Sequence, residues 1–139
     1  MKIKAVLLLA TVLCLGLPPL IQGKKATGSS WTGNYTDQKY CNGQAVFELN
    51  IVQEGGTITV DFDAAYHDGH GCAPEGSGSA KVVDKNTLQF TFTDSANNAG
   101  VGTIKRVGDG VLISITPNRV ADPRCVIFYG ENIRLKPAR

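Results

Sequence analysis

The sequence lacks any apolar run long enough to cross a bilayer, carries little net charge and has only two histidines, one tryptophan and one methionine. Each shortage closes off a class of function. The longest apolar stretch, Ala5 to Leu17, covers about thirteen residues against the roughly twenty a membrane-spanning helix needs. The formal charge is +2, and Lys2 and Lys4 supply it at the very start of the chain. The remainder is close to neutral, so it offers no basic field for nucleic acid or an anionic membrane surface. With His67 and His70 as the only imidazoles, a metal centre would have to be built on a single loop. No Gly-x-Ser-x-Gly turn is present for an activated serine. Internal repeats, linkers and sustained helical periodicity beyond residue 29 are also absent.

What is present begins with a basic start, an apolar stretch and a Pro18-Pro19 break before Gln22-Gly23-Lys24. This is the layout of a secretory signal with cleavage after Gly23. Residues 1–23 are therefore expected to be a signal peptide and residues 24–139 a single exported domain, periplasmic or secreted. Lipid anchoring at Cys14 is the alternative, disfavoured by the bulky Leu13 before it.

Period-two alternation runs through the rest of the chain. Strands are expected at 31–36, 45–54, 57–66, 77–83, 87–94, 101–107, 111–116 and 126–135. The third is the cleanest, with Ile58, Val60, Phe62 and Ala64 alternating against Thr57, Thr59, Asp61 and Asp63. Eight short sequential strands with one apolar face each predict an all-β antiparallel barrel in meander order, closed to remove sheet edges, with a two-sheet sandwich as the alternative. The phenylalanines and aliphatic residues are expected to fill the interior rather than enclose a ligand cavity.

A meander places alternate connections at the same end. Tight turns at 54–56, 84–86 and 108–110 mark one end. Longer connections at 37–44, 67–76, 95–100 and 117–124 mark the other, with both histidines and Cys41, Cys72 and Cys125 at or beside them. Binding residues concentrate on loops held by a rigid scaffold, so function is placed at this long-loop rim. Closure brings the first and last strands together, which favours a Cys41–Cys125 disulfide. Cys41–Cys72 is the close competitor, and Cys72–Cys125 or no bond completes the set.

The most chemically loaded segment is Tyr66-His67-Asp68-Gly69-His70-Gly71-Cys72. His67, His70 and Cys72 are possible zinc or copper ligands, but no second ligand cluster completes a tetrahedral site, so no cofactor or metal is expected. A free Cys72 beside His70 would form a nucleophile pair; a structural disulfide is the simpler reading. Asp61 and Asp63 read as solubilising groups on an outer strand face. Asp94 and Glu131 read as partly buried carboxylates without a partner. Lys105-Arg106 and the basic C-terminal residues read as solvated strand faces.

Two resemblances follow from short motifs. The run Gly76-Ser77-Gly78-Ser79-Ala80-Lys81 resembles the Ser/Gly-rich Ala-Lys motif of bacterial C-type lysozyme inhibitors, although the aromatic that usually follows the lysine is Val82 here. The resemblance implies a small exported eight-stranded barrel whose motif loop enters the enzyme's cleft, with Ser79 and Lys81 as contact residues. Trp31-Thr32-Gly33-Asn34-Tyr35 is similar to the opening strand of calycin-type barrels and implies the same architecture. The expected function is that of a non-enzymatic binding protein, an inhibitor or immunity-type protein recognising an envelope-degrading enzyme such as lysozyme. His67, Asp68, His70, Ser77, Ser79 and Lys81 are its expected partner-binding residues. A small-ligand or metal-binding barrel using the His67–Cys72 loop is the alternative.

Overall fold

The computed structural model describes residues 28–139; the expected signal peptide, its cleavage site and Cys14 lie outside the described residues. Eight antiparallel strands form a closed barrel in meander order. They are β1 (Gly33–Lys39), β2 (Ala45–Glu54), β3 (Thr57–Tyr66), β4 (Glu75–Asp84), β5 (Thr87–Asp94), β6 (Ala99–Val107), β7 (Gly110–Arg119) and β8 (Ile133–Pro137). The sandwich alternative is thereby set aside. Closure is made by β1 against β8, through Tyr35 opposite Pro137 and Thr36 opposite Lys136.

Inward positions alternate as the pattern requires. Phe47, Leu49 and Ile51 of β2, Ile58, Val60 and Phe62 of β3, and Val111, Ile113 and Ile115 of β7 are all buried in one core. Phe62 stands at its centre. Its ring lies 6.0 Å from Phe47, 5.3 Å from Phe92 and 5.8 Å from Tyr129, centroid to centroid. Aromatic rings of this size fit a narrow barrel only if the facing positions are small. Phe62 is registered opposite Gly76, Phe90 opposite Gly102 and Phe92 opposite Gly100. A Cβ at Gly76 would overlap the Phe62 ring, and one at Gly102 the Phe90 ring. This explains why the sequence pattern starts β4 and β6 two residues late, at 77 and 101: the inner positions Gly76 and Gly100 carry no side chain because neighbouring rings and backbone occupy the space.

Three further departures from expectation have simple causes. β1 starts later and ends later than predicted, because Trp31 and Thr32 precede the paired strand. The chain after residue 122 is not strand: Asp122 caps a one-turn helix α2 (Pro123–Val126) through a hydrogen bond from the Arg124 amide, with Pro123 at its start. β8 is thus reduced to Ile133–Pro137, and the apolar Val126 to Tyr129 belong to a folded-over plug whose Phe128 is fully buried. Between β1 and β2 lies a second short turn of helix, α1 (Tyr40–Gly43), in which Cys41 and Asn42 adopt left-handed angles (φ 52° and 57°).

The tight-turn end is closed by Trp31, which is 4 % exposed. The Arg106 guanidinium lies 3.7 Å from the centre of the Trp31 ring and donates to the Ser29 and Ser30 carbonyls at 2.8 and 3.0 Å. Arg106 is therefore not a plain solvated residue, as the sequence suggested; it clamps the incoming chain through a cation–π contact and two charged hydrogen bonds. Filling the space opposite a core ring is the most direct way to break this packing. Gly102→Val is expected to lower stability by about 2–3 kcal/mol through overpacking against Phe90, read as a reduced urea midpoint with an unchanged slope.

Candidate functional site

The four longer connections, residues 40–44, 67–74, 95–98 and 120–132, emerge at the same end of the barrel, as the meander requires. Segment 120–132 holds the other three. The centre of the arrangement is Asp94, the next inward position after Leu88, Phe90 and Phe92 on β5 and only 4 % exposed. The strand's alternation thus carries a carboxylate into the mouth of the core, where it must be fully satisfied. It is. Its Oδ1 accepts from the Ala96 and Asn98 amides, both at 2.9 Å, and its Oδ2 from Asn98 Nδ2 at 3.0 Å and the Tyr129 hydroxyl at 2.6 Å.

Asn98, with no exposed surface, extends the network. Its Oδ1 accepts from the Ala121 and Asp122 amides at 2.7 and 2.9 Å, and its Nδ2 also donates to the Asp122 carbonyl at 3.2 Å. Connection 95–98 is thereby fastened to 120–132. The Tyr40 hydroxyl donates to the Phe128 carbonyl at 2.7 Å, fastening α1 to the same segment. Burial and the adjacent Asp94 carboxylate push the Tyr129 hydroxyl far above its ordinary range. Tyr40 is pushed up to about 12, first by burial and then by the neighbouring Cys41 and Asp37.

The disulfide supplies the third fastening. It joins Cys72 of connection 67–74 to Cys125 of α2, with Cα atoms 5.1 Å apart, inside the normal range for such a bond. The favoured Cys41–Cys125 pairing is therefore wrong. The residues around Cys125 do not form an extended last strand beside β1; they fold over the barrel mouth as α2, where Cys72 meets them. Cys41 is left as a free, half-buried thiol. Burial, and then Asp37, push its pKa up, which keeps it protonated and poorly nucleophilic.

The residues nominated from the sequence are not gathered into one site. His67 Nε2 lies 3.1 Å from the Gln38 carbonyl. His70 hydrogen-bonds Asp68 through Nδ1 and stacks on the Tyr66 ring at 4.1 Å. With Cys72 bonded to Cys125, the His67, His70, Cys72 ligand set is not assembled, and the Cys72–His70 nucleophile pair is excluded by the same bond. Among the described residues, the group close enough to hold a metal is Cys72, Asp122 and Cys125, and two of its members are joined in the disulfide.

Ser77, Ser79 and Lys81 lie exposed on the outer face of β4, hydrogen-bonded on both sides to β3 and β5. They belong to a paired strand rather than a projecting loop. Ser77 Oγ donates to Asp61 Oδ1 at 2.7 Å, while Lys81 sits opposite Gln89, toward the tight-turn end. Four residues of strand, about 13 Å, separate Lys81 from Ser77, so it is remote from the histidine loop. Sequence reasoning missed the Asp94–Asn98–Tyr129 network, although the inward parity of Asp94 was visible.

At the long-loop end, Ile127 is 61 % exposed and Val120 50 %, and the stacked Tyr66–His70 pair belongs to the same end. A mouth whose connections are fastened together, with apolar side chains turned outward, is what the arrangement presents. No helix among the described residues is long and apolar enough to cross a membrane, and the disulfide is compatible with an oxidising compartment.

Two outcomes test this construction. In the native protein Cys41 is expected to alkylate without reductant under denaturing conditions, and Cys72 and Cys125 only after reduction, as read by peptide mass mapping; reduction should cost about 2–4 kcal/mol. The second outcome concerns alkaline pH. Tyr129 and Tyr40 release their protons in the unfolded chain near pH 10 but later in the folded one, so stability is fully present below about pH 10 and falls above it. Tyr129→Phe is expected to flatten that alkaline fall in urea midpoints while costing about 2–3 kcal/mol at neutral pH, because the buried Asp94 carboxylate loses one of its four donors. Comparison with known proteins finds no family model, no curated protein and no solved structure that matches the chain.

Proposed function

We propose that the chain is an exported, non-enzymatic binding protein that recognises a protein partner through the long-loop end of its barrel. An inhibitor or immunity-type protein directed at an envelope-degrading enzyme, lysozyme first among them, is the concrete form. The observation that carries this reading is the fastening of the rim's connections to one another. One segment, 120–132, is joined to the other three connections by a disulfide, a saturated buried polar network and the Tyr40 hydrogen bond. Loops ordered before binding lose little conformational entropy when a partner arrives, which favours tight protein recognition. Exposed Ile127 and Val120 supply the apolar anchors such an interface uses.

The test uses residues 24–139 with C-type lysozyme and a panel of other wall-degrading hydrolases, measuring inhibition of cell-wall clearing and binding by calorimetry. Inhibition is expected for at least one enzyme, with affinity reduced at least about tenfold by Ile127→Asp. A loss confined to Ser79→Ala and Lys81→Ala would move the interface to the outer face of β4 and overturn the rim reading. No binding across the panel would overturn the proposed class of partner.

A further inference from the structure

The outer surface of the barrel is divided. On β5, β6 and β7 it is largely uncharged, with Thr91, Val101 and Thr116 side by side in register. From β8 through β1 to β4 it is charged and concave, enclosing a groove of about 1280 Å³. One row of outward residues crosses its floor. Lys136 faces Thr36, Thr36 faces Glu48, Glu48 faces Asp63 and Asp63 faces Glu75. Along this row a positive wall stands across Thr36 from a negative one, while Asp37 and Lys39 of β1 line the groove farther along the strand. Arg134 adds to the positive wall and Asp61 to the negative one.

Neither wall is neutralised from within. The ion pairs among the described residues are His70–Asp68 and Arg124–Asp122, and neither touches the groove. Three carboxylates directly opposite one another on adjacent strands oppose folding. Partial burial, and then Glu48 and Glu75, push the Asp63 carboxyl above its ordinary range. Neutral amides at these positions would serve the barrel better, so the arrangement is not accounted for by stability.

We propose that this groove is a second docking surface, built for an extended peptide segment of a partner protein that carries a cationic and an anionic side chain. The spacing follows from the sheet. Asp63 and Lys136 lie three strand spacings apart, about 14 Å, which an extended peptide covers in about four residues at 3.3 Å each. A lysine or arginine of the segment meets Glu48, Asp63 and Glu75, while a carboxylate four residues away meets Lys136. Recognition runs through side chains, because the strands beneath are already paired on both sides. The groove lies on the flank of the barrel, so the proposal stands whether or not the long-loop end binds a partner.

The experiment titrates the capped peptide Lys-Ser-Gly-Ser-Glu into ¹⁵N-labelled residues 24–139 and follows backbone amide shifts. Saturable shifts are expected around Thr36, Glu48, Asp63 and Lys136, with a dissociation constant of order 1 mM that weakens at least about threefold between low and 0.3 M salt. Asp63→Asn and Lys136→Gln are each expected to weaken it at least about threefold. Asp63→Asn should also unfold at a higher urea concentration than the wild type, which shows that its binding defect is not misfolding. Several outcomes overturn the proposal. These are no saturable shift, shifts confined to residues 67–74 and 120–132, equal binding of an uncharged Gly-Ser peptide or of oligolysine, or the same shifts produced by calcium alone at lower concentration.

Discussion

The small bore of an eight-stranded barrel is the constraint on which the rest of this structure depends. An interior of that width holds large side chains only where the opposing strand gives up its own. Here the trade is made in register: Phe62 against Gly76, Phe90 against Gly102, Phe92 against Gly100. The rings then meet one another across the centre and leave the interior filled. With these rings packed in its interior, the barrel carries its buried polar network at one end and its charged groove on the outer face.

At the long-loop end the packed core stops at Phe92, and the next inward position is Asp94. A carboxylate there is tolerated only because every one of its acceptor sites is used. The same donors that satisfy it also lock two connections together, so the polar mouth and the ordered rim are one feature. Removing a partner from such a network leaves a buried charge short of donors, which costs more than the single hydrogen bond. The Cys72–Cys125 bond adds a covalent tie to the third connection and links the rim's order to an oxidising compartment.

The charges divide between positions that support the fold and positions that oppose it. Arg106 over Trp31 and Asp122 capping α2 are supportive, each meeting an opposite or polarisable partner. Glu48, Asp63 and Glu75 are the reverse, three like charges placed side by side with no ion pair to neutralise them among the described residues. Costs of this kind collect where a protein meets something outside itself.

The all-β class, the eight strands, their meander order and the two unlike ends follow from local pattern alone, because period-two alternation and turn residues are local quantities. β2, β3 and β5 are legible to the residue. β4 is less so, since Gly76 and Gly78 read as weakness until the Phe62 ring is found against the first and the Thr91 backbone against the second. Three things were decided only by the tertiary structure. Cys125 pairs with Cys72 because α2 folds across the barrel mouth, and a pairing depends on where two distant segments end in space. Asp94 finds Tyr129 thirty-five residues away. Asp61 and Asp63, unremarkable on one strand, join Glu48, Glu75 and Lys136 in one groove only when five strands come into register. The sequence thus determined an all-β barrel with two unlike ends; closure of the sheet decided what the long-loop end is made of and placed a charged groove on its flank.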